Sequence, residues 1–158
     1  MGILNNITII CAIQKFTVMY TNADCLTNKI DELRLLLSTL DYKPTAIVVT
    51  EVNAKVSACP MQEFEFNIDG YTLHCLNVGR KSLRGICIYV DRNISYSIIE
   101  INCDFTEFLC VSLRDSYSIL FTLCAVYRSP SSDTLNDFKL FQLLSMLVCC
   151  CWKMFVDR

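Results

Sequence analysis

Residues 16–49 carry the tightest constraint in this chain, because the spacing of apolar side chains changes there from one regular period to another. Phe16, Val18 and Tyr20 alternate with Thr17, Met19 and Thr21, the period of a β-strand. Leu26, Ile30, Leu33, Leu36, Leu37 and Leu40 then recur at three- and four-residue steps, so a helix buries one stripe. Thr27 or Asn28 can cap that helix, and Pro44 closes it off. Ala46-Ile47-Val48-Val49 is continuously apolar and mostly β-branched, which suits a strand covered on both faces. Strand, helix and strand at this spacing make a βαβ unit, whose strands lie parallel with a right-handed crossover. That geometry sets Asn22 and Glu51, each past the carboxyl end of a strand, at one sheet edge. Open α/β sheets build their sites there.

After a polar, poorly periodic stretch at residues 52–69, five strands are expected, at about 71–77, 85–90, 96–101, 108–114 and 118–127. Asn67-Ile68-Asp69-Gly70, Asp91-Arg92-Asn93 and Arg114-Asp115-Ser116 supply the turns between them. Their short spacing suggests antiparallel neighbours added to the βαβ core. Residues 134–144 read as a helix with Leu135, Phe138 and Leu143 or Leu144 inward. Residues 1–15 are taken as an extension. Residues 145–158, with Cys149-Cys150-Cys151-Trp152, are taken as an apolar tail outside the pattern.

Charge favours no particular partner: 14 Lys and Arg face 16 Asp and Glu, so the chain lacks the basic excess of a protein that holds DNA by phosphate neutralisation alone. The 11 cysteines form no CxxC pair and the single histidine is His74, which argues against the common zinc sites. Cys87, Cys110 and Cys124 lie in apolar runs, where a thiol acts as a small hydrophobe. Mostly buried free thiols and an intracellular compartment, cytoplasmic or nuclear, are therefore expected, with the sequons at Asn6 and Asn93 idle. The longest apolar stretch, residues 140–152, is broken by Gln142 and Ser145 and is short for a bilayer.

Singly, the chemistry-bearing residues have ordinary readings. Asn22 is a turn residue by default, Glu51 a solvated carboxylate, Tyr127 a core residue with its hydroxyl at the rim, and His74 structural. Arg80, Lys81 and Arg84 form a basic cluster that suits a solvated loop or a phosphate backbone. Together they sit in blocks with a recognisable order. Tyr20-Thr21-Asn22-Ala23 leads to Leu26-Thr27-Asn28-Lys29-Ile30-Asp31-Glu32-Leu33, then Ile47-Val48-Val49-Thr50-Glu51 and Phe66-Asn67-Ile68-Asp69-Gly70-Tyr71. Arg84-Gly85-Ile86-Cys87-Ile88-Tyr89-Val90 and Val126-Tyr127-Arg128-Ser129-Pro130-Ser131-Ser132 complete the series. These blocks resemble the endonuclease of non-LTR retrotransposons, in the endonuclease/exonuclease/phosphatase superfamily, over residues 16–144.

The resemblance implies a four-layer α/β sandwich, represented here in part. It implies a divalent cation, usually Mg²⁺, held by Glu51 with Asn22, and Tyr127 on the scissile phosphate. Arg84 and Arg128 are further candidates for DNA contact. It also implies DNA as substrate and a reverse transcriptase domain as the usual neighbour in one polyprotein. Asp24-Cys25, Arg84 in place of a first Gly, and Ser129 in place of a Pro depart from the family pattern. The family's later Gly-Asp-Phe-Asn and Asp-His blocks have no counterpart, so residues 1–158 are expected to lack the water-activating half of the site. Little or no nicking is expected, and a non-catalytic relic or interaction module is the alternative; another phosphoesterase of the superfamily ranks below both, because the block from Tyr20 to Leu33 fits the retroelement branch best. A sheet missing its partner would expose apolar surface and invite self-association.

Overall fold

The structure is a computed structural model that describes residues 7–13, 16–53, 62–80, 83–114, 120–148 and 153–157. Asn6, Lys81, residues 118–119 of an expected strand and residues 149–152 of the expected tail lie outside the described residues. The chain divides into two compact units, Met1–Asn93 and Ile94–Arg158.

The first unit contains β1 (Ile7–Ile13), β2 (Phe16–Asn22), α1 (Ile30–Thr39), β3 (Ala46–Thr50), β4 (Tyr71–Leu76) and β5 (Ile86–Asp91). Its five strands run in the order β1-β2-β3-β5-β4. β2 and β3 are parallel, from Val18 beside Ala46 to Asn22 beside Thr50, and the other pairs are antiparallel. The expected βαβ unit is thus present. β3 is buried at every position, as its unbroken apolar run requires. α1 sets Ile30, Leu33 and Leu37 against Met19, Ile47, Val49, Cys87 and Tyr89, with Leu36 and Leu40 half covered. Leu33 is wholly buried, and truncating such a leucine to alanine costs about 2–5 kcal/mol.

The start of α1 differs from expectation. Leu26–Asn28 form a separate 3-10 turn, and the residue before α1 is Lys29, which makes no side-chain cap bond. Thr27 and Asn28 are used in the turn and cannot serve as the cap. Two buried tyrosines keep their hydroxyls paired: Tyr71 donates to the Pro44 carbonyl (2.8 Å) and Tyr89 to the Phe66 carbonyl (2.9 Å). Val18, Val48, Ile88 and Val90, which alternate with the residues facing α1, are also buried. The apolar sheet face expected to stand open is therefore covered at these positions.

The second unit contains β6 (Ser95–Ile98), β7 (Phe108–Arg114), β8 (Leu120–Tyr127), α2 (Thr134–Val148) and β9 (Lys153–Asp157). Its strands form a sheet of their own, in the order β6-β7-β8-β9, with β8 and β9 parallel. The expectation that these strands extend the βαβ sheet is corrected. β5 inserts beside β3 and carries β4 on its far edge, and β6 pairs onward with β7 instead. The inward face of α2 is corrected in part: Leu143 is buried as expected and packs with Leu140 and Leu147 on Phe105, Cys110, Cys124 and Val126, while Leu135 and Phe138 are exposed.

Cys110 and Cys124 stand directly opposite in the β7–β8 ladder and are joined as a disulfide, against the expectation of free thiols at both. Register explains it, since a cross-strand pair already holds the two side chains side by side. Cys25, Cys75, Cys87 and Cys103 carry thiols outside any disulfide. No helix among the described residues is long and apolar enough to cross a membrane.

Candidate functional site

The parallel register of β2 and β3 ends with Asn22 beside Thr50, so Glu51 is the first residue past the ladder. The two loops that follow remain hydrogen-bonded to each other. Ala23 N–H donates to the Thr50 carbonyl (3.0 Å), Cys25 to that of Glu51 (2.9 Å) and Leu26 to that of Val52 (2.9 Å). Holding this path forces three non-glycine residues to positive φ: Asp24 (41°), Cys25 (88°) and Glu51 (52°). Each such residue costs on the order of 1–3 kcal/mol, and such residues concentrate at functional edges. Asn22 Oδ1 accepts the Asp24 N–H at 3.0 Å, an Asx turn that fixes its side chain. Nearby, the Tyr20 hydroxyl and Thr50 Oγ1 are 3.0 Å apart.

Arg84 comes to this edge from the loop before β5. Its Nη2 bonds Asp24 Oδ1 at 2.6 Å and also pairs with Glu51 Oε2. The side chains of Arg84 and Glu51 are only 12% and 15% exposed, whereas that of Asp24 is 59% exposed. Burial works to lower the Arg84 pKa, but the bonds to Glu51 and Asp24 outweigh it, and the net shift is upward. The guanidinium therefore stays charged. Among the described residues its buried Nε and Nη1 meet no hydrogen-bond partner.

Asn53, which sequence reasoning passed over, builds the loop that carries Arg84. Its Nδ2 donates to the carbonyls of Asn77 (2.7 Å) and Leu83 (2.7 Å), with a longer contact to Arg80 (3.4 Å). Its Oδ1 accepts the Gly79 N–H at 2.9 Å, and its own N–H donates to the Arg84 carbonyl at 2.7 Å. Gly85 follows at φ +72°, where a Cβ would stand 3.2 Å from Asn53 Nδ2. An asparagine two residues past Glu51, with Gly79 and Gly85 downstream, was the only signal in the sequence.

Asn22, Glu51 and Arg84 belong to the first unit; Tyr127 and Arg128 belong to the second. Tyr127 ends β8, is 3% exposed, and its N–H donates to the Glu107 carbonyl at 2.9 Å. Arg128 forks onto Asp137 in the first turn of α2, with Nε–Oδ1 at 2.7 Å and Nη2–Oδ2 at 2.9 Å. This pairing lowers the Asp137 carboxyl pKa, and Asp133 Oδ1 caps the same turn through the Asn136 N–H at 2.8 Å. Arg128, expected at a phosphate, is engaged in holding the turn to the helix.

Among the described residues of this edge, Glu51, Asp24 and Asn22 carry side-chain oxygens that a cation could use. Their chemistry suits Mg²⁺, which is commonly held by one or two carboxylates plus water. Their surroundings do not. The guanidinium of Arg84 stands on both carboxylates, and a dication placed there would face a like charge at contact range. Among the described residues no group of three or more His, Cys, Asp or Glu gathers to hold a metal. With Arg84 in place, the edge does not fit Mg²⁺.

The described residues form two sheets and two helices, a mixed α/β fold. Two solved structures carry the same fold. One is the endonuclease domain of TRAS1, a telomere-specific non-LTR retrotransposon, matched over 83% of this chain and 52% of its own at 10% identity and a TM-score of 0.53. The other is the AP endonuclease LMAP from Leishmania major, matched over 93% of this chain and 56% of its own at 12% identity and a TM-score of 0.55. The chain spans about half the length of these structures. Neither a family model nor a curated protein matches the sequence.

Proposed function

We propose that this chain is a retrotransposon-derived domain of the endonuclease/exonuclease/phosphatase type that does not nick DNA with Mg²⁺. The observation that carries this reading is the ion pair between Arg84 and Glu51, the residue that the family resemblance assigns to the metal. The ordered blocks from Tyr20 to Ser132 support the retroelement ancestry. DNA as ancestral ligand, a reverse transcriptase domain as ancestral neighbour and an intracellular location belong to the same reading. The test is the nicking of supercoiled plasmid by residues 1–158 with Mg²⁺. No activity above a Glu51→Ala control is expected. Nicking that vanishes in that control overturns the reading.

A second reading, a protein-interaction module, has one observation in its favour. Leu135, Phe138, Phe141 and Met146 of α2 are each 48% exposed or more. Unlike scattered surface apolar residues, such a cluster marks a contact surface. Sedimentation equilibrium of the wild-type and Phe138→Glu proteins tests it. Self-association or partner binding that the glutamate abolishes supports the module, and a monomer indifferent to the change counts against it.

A further inference from the structure

We propose that the guanidinium of Arg84 is the resident cation of this sheet edge, fixed by Glu51 and Asp24 in place of a divalent metal. The proposal rests on reading this edge as the counterpart of a nuclease cation site. One nitrogen, Nη2, meets a carboxylate oxygen from each of two loops, one after β2 and one after β3. A single positive centre therefore joins the two loops whose backbones are already bonded together. A metal ion would do the same by accepting both oxygens as ligands.

Two further observations separate this pairing from an ordinary surface ion pair. First, Arg84 and Glu51 are largely withdrawn from water, where exposed pairs contribute little. Second, among the described residues the buried Nε and Nη1 of Arg84 meet no partner. A side chain recruited for its hydrogen-bonding fork would use those donors on a carboxylate or a carbonyl. Arg84 forgoes them and keeps the one nitrogen that neutralises both acids. The edge selects positive charge at that point. An arginine supplies it at every accessible pH, because it does not deprotonate in proteins. Asn53 ties the backbone just before Arg84 to the loop after β3, through the Asn77 and Leu83 carbonyls.

The corollary is a latent metal site. Without the guanidinium, the Glu51 and Asp24 carboxylates face the same space, with Asn22 Oδ1 on the same edge. A dication about 4 Å from a retained guanidinium is repelled enough to weaken its binding about thirtyfold even at the dielectric of bulk water.

The experiment is titration of the folded full chain with Mn²⁺, read as loss of the free-ion signal in electron paramagnetic resonance. The wild-type and Arg84→Lys proteins are expected to leave Mn²⁺ free. Arg84→Ala should gain a single site at least about thirtyfold tighter than any wild-type binding, by the same repulsion. Arg84→Ala combined with Glu51→Gln should lose it. Arg84→Met, which keeps the bulk of the stem, replaces Arg84→Ala if alanine prevents folding. Binding to wild type that Glu51→Gln abolishes overturns the proposal, as does an Arg84→Met protein that binds no better than wild type. Plasmid nicking by wild type without Mn²⁺ uptake at this edge would overturn the functional reading and leave the resident cation standing.

Discussion

Replacing Asn53 by alanine tests whether the loop that delivers Arg84 is held by one side chain. Three of the amide's contacts are of normal length: 2.7 Å to the Asn77 carbonyl, 2.7 Å to the Leu83 carbonyl and 2.9 Å from the Gly79 N–H. At about 1 kcal/mol net for each, their removal costs roughly 3 kcal/mol. The 3.4 Å contact to Arg80 adds little at that length. Asn53 is 6% exposed, so water cannot fully replace the lost amide without a cavity opening. Against a typical total of about 5–15 kcal/mol, the protein stays folded but weakened. Its melting midpoint should fall by about 6–12 °C. Asn53→Asp is the sharper variant. It keeps the shape and the acceptor for Gly79, but turns a carboxylate oxygen towards two carbonyls. It should be at least as damaging as alanine. Thermal and urea unfolding followed by far-ultraviolet circular dichroism measures both. An alanine variant within about 0.5 kcal/mol of wild type, the range of ordinary surface substitutions, would refute the reasoning. An aspartate better tolerated than alanine would do the same.

Alkaline pH should unfold the first unit through its buried phenols. Burial first, and the Asp91 carboxylate second, push the Tyr71 hydroxyl up to about 12, and burial pushes Tyr89 higher still. An unfolded tyrosine titrates near 10, so the stabilisation from Tyr71 is complete below about pH 10 and is lost as pH rises towards 12. Urea midpoints across this window should fall, and Tyr71→Phe should remove part of the slope; a midpoint flat to about pH 12 contradicts the assignment. For the cysteines, mass spectrometry of the unreduced, alkylated protein should find Cys110 crosslinked to Cys124, with Cys75 and Cys87 alkylated after unfolding. A crosslink between Cys75 and Cys87 would show that the antiparallel neighbours of β4 and β5, 2.9 Å apart at sulfur, are the oxidised pair instead.

Sequence reasoning went furthest where a period and a topological rule acted together. The alternation in β2, the leucine stripe of α1 and the unbroken β3 define a crossover, and parallel register then carries Asn22 to the edge that Glu51 leaves. It failed where several answers satisfy the same pattern. Residues 134–148 are apolar on more than one side, so Leu135 and Phe138 offered as good a stripe as Leu140, Leu143 and Leu147. Short strand patterns also do not say which sheet they join, and β6, β7 and β8 went to a second one. The strands β1 and β9 are short apolar runs at the two ends, and periodicity alone does not separate such runs from an extension or tail. Arg84 was legible as a basic residue but not as an inward one. Its direction depends on Asp24, sixty positions earlier in sequence, and on the amide of Asn53.

The order in which the strands were joined has a consequence during synthesis. Every strand of the first sheet comes from residues 7–91, so that unit has its full complement of edges before the second sheet begins at Ser95. The second sheet closes differently. β8 pairs at once with β7 behind it, but its other edge waits for β9, which lies beyond α2. At a ribosomal rate of about 5–20 residues per second, the thirty or so residues from Tyr127 to Asp157 take roughly 2–6 s to appear. For that interval β8 offers an unpaired ladder of backbone N–H and C=O groups, the kind of template on which neighbouring nascent chains pair. A polysome carrying this message would therefore be most vulnerable at one defined stage, after the first unit has formed and before the last strand arrives.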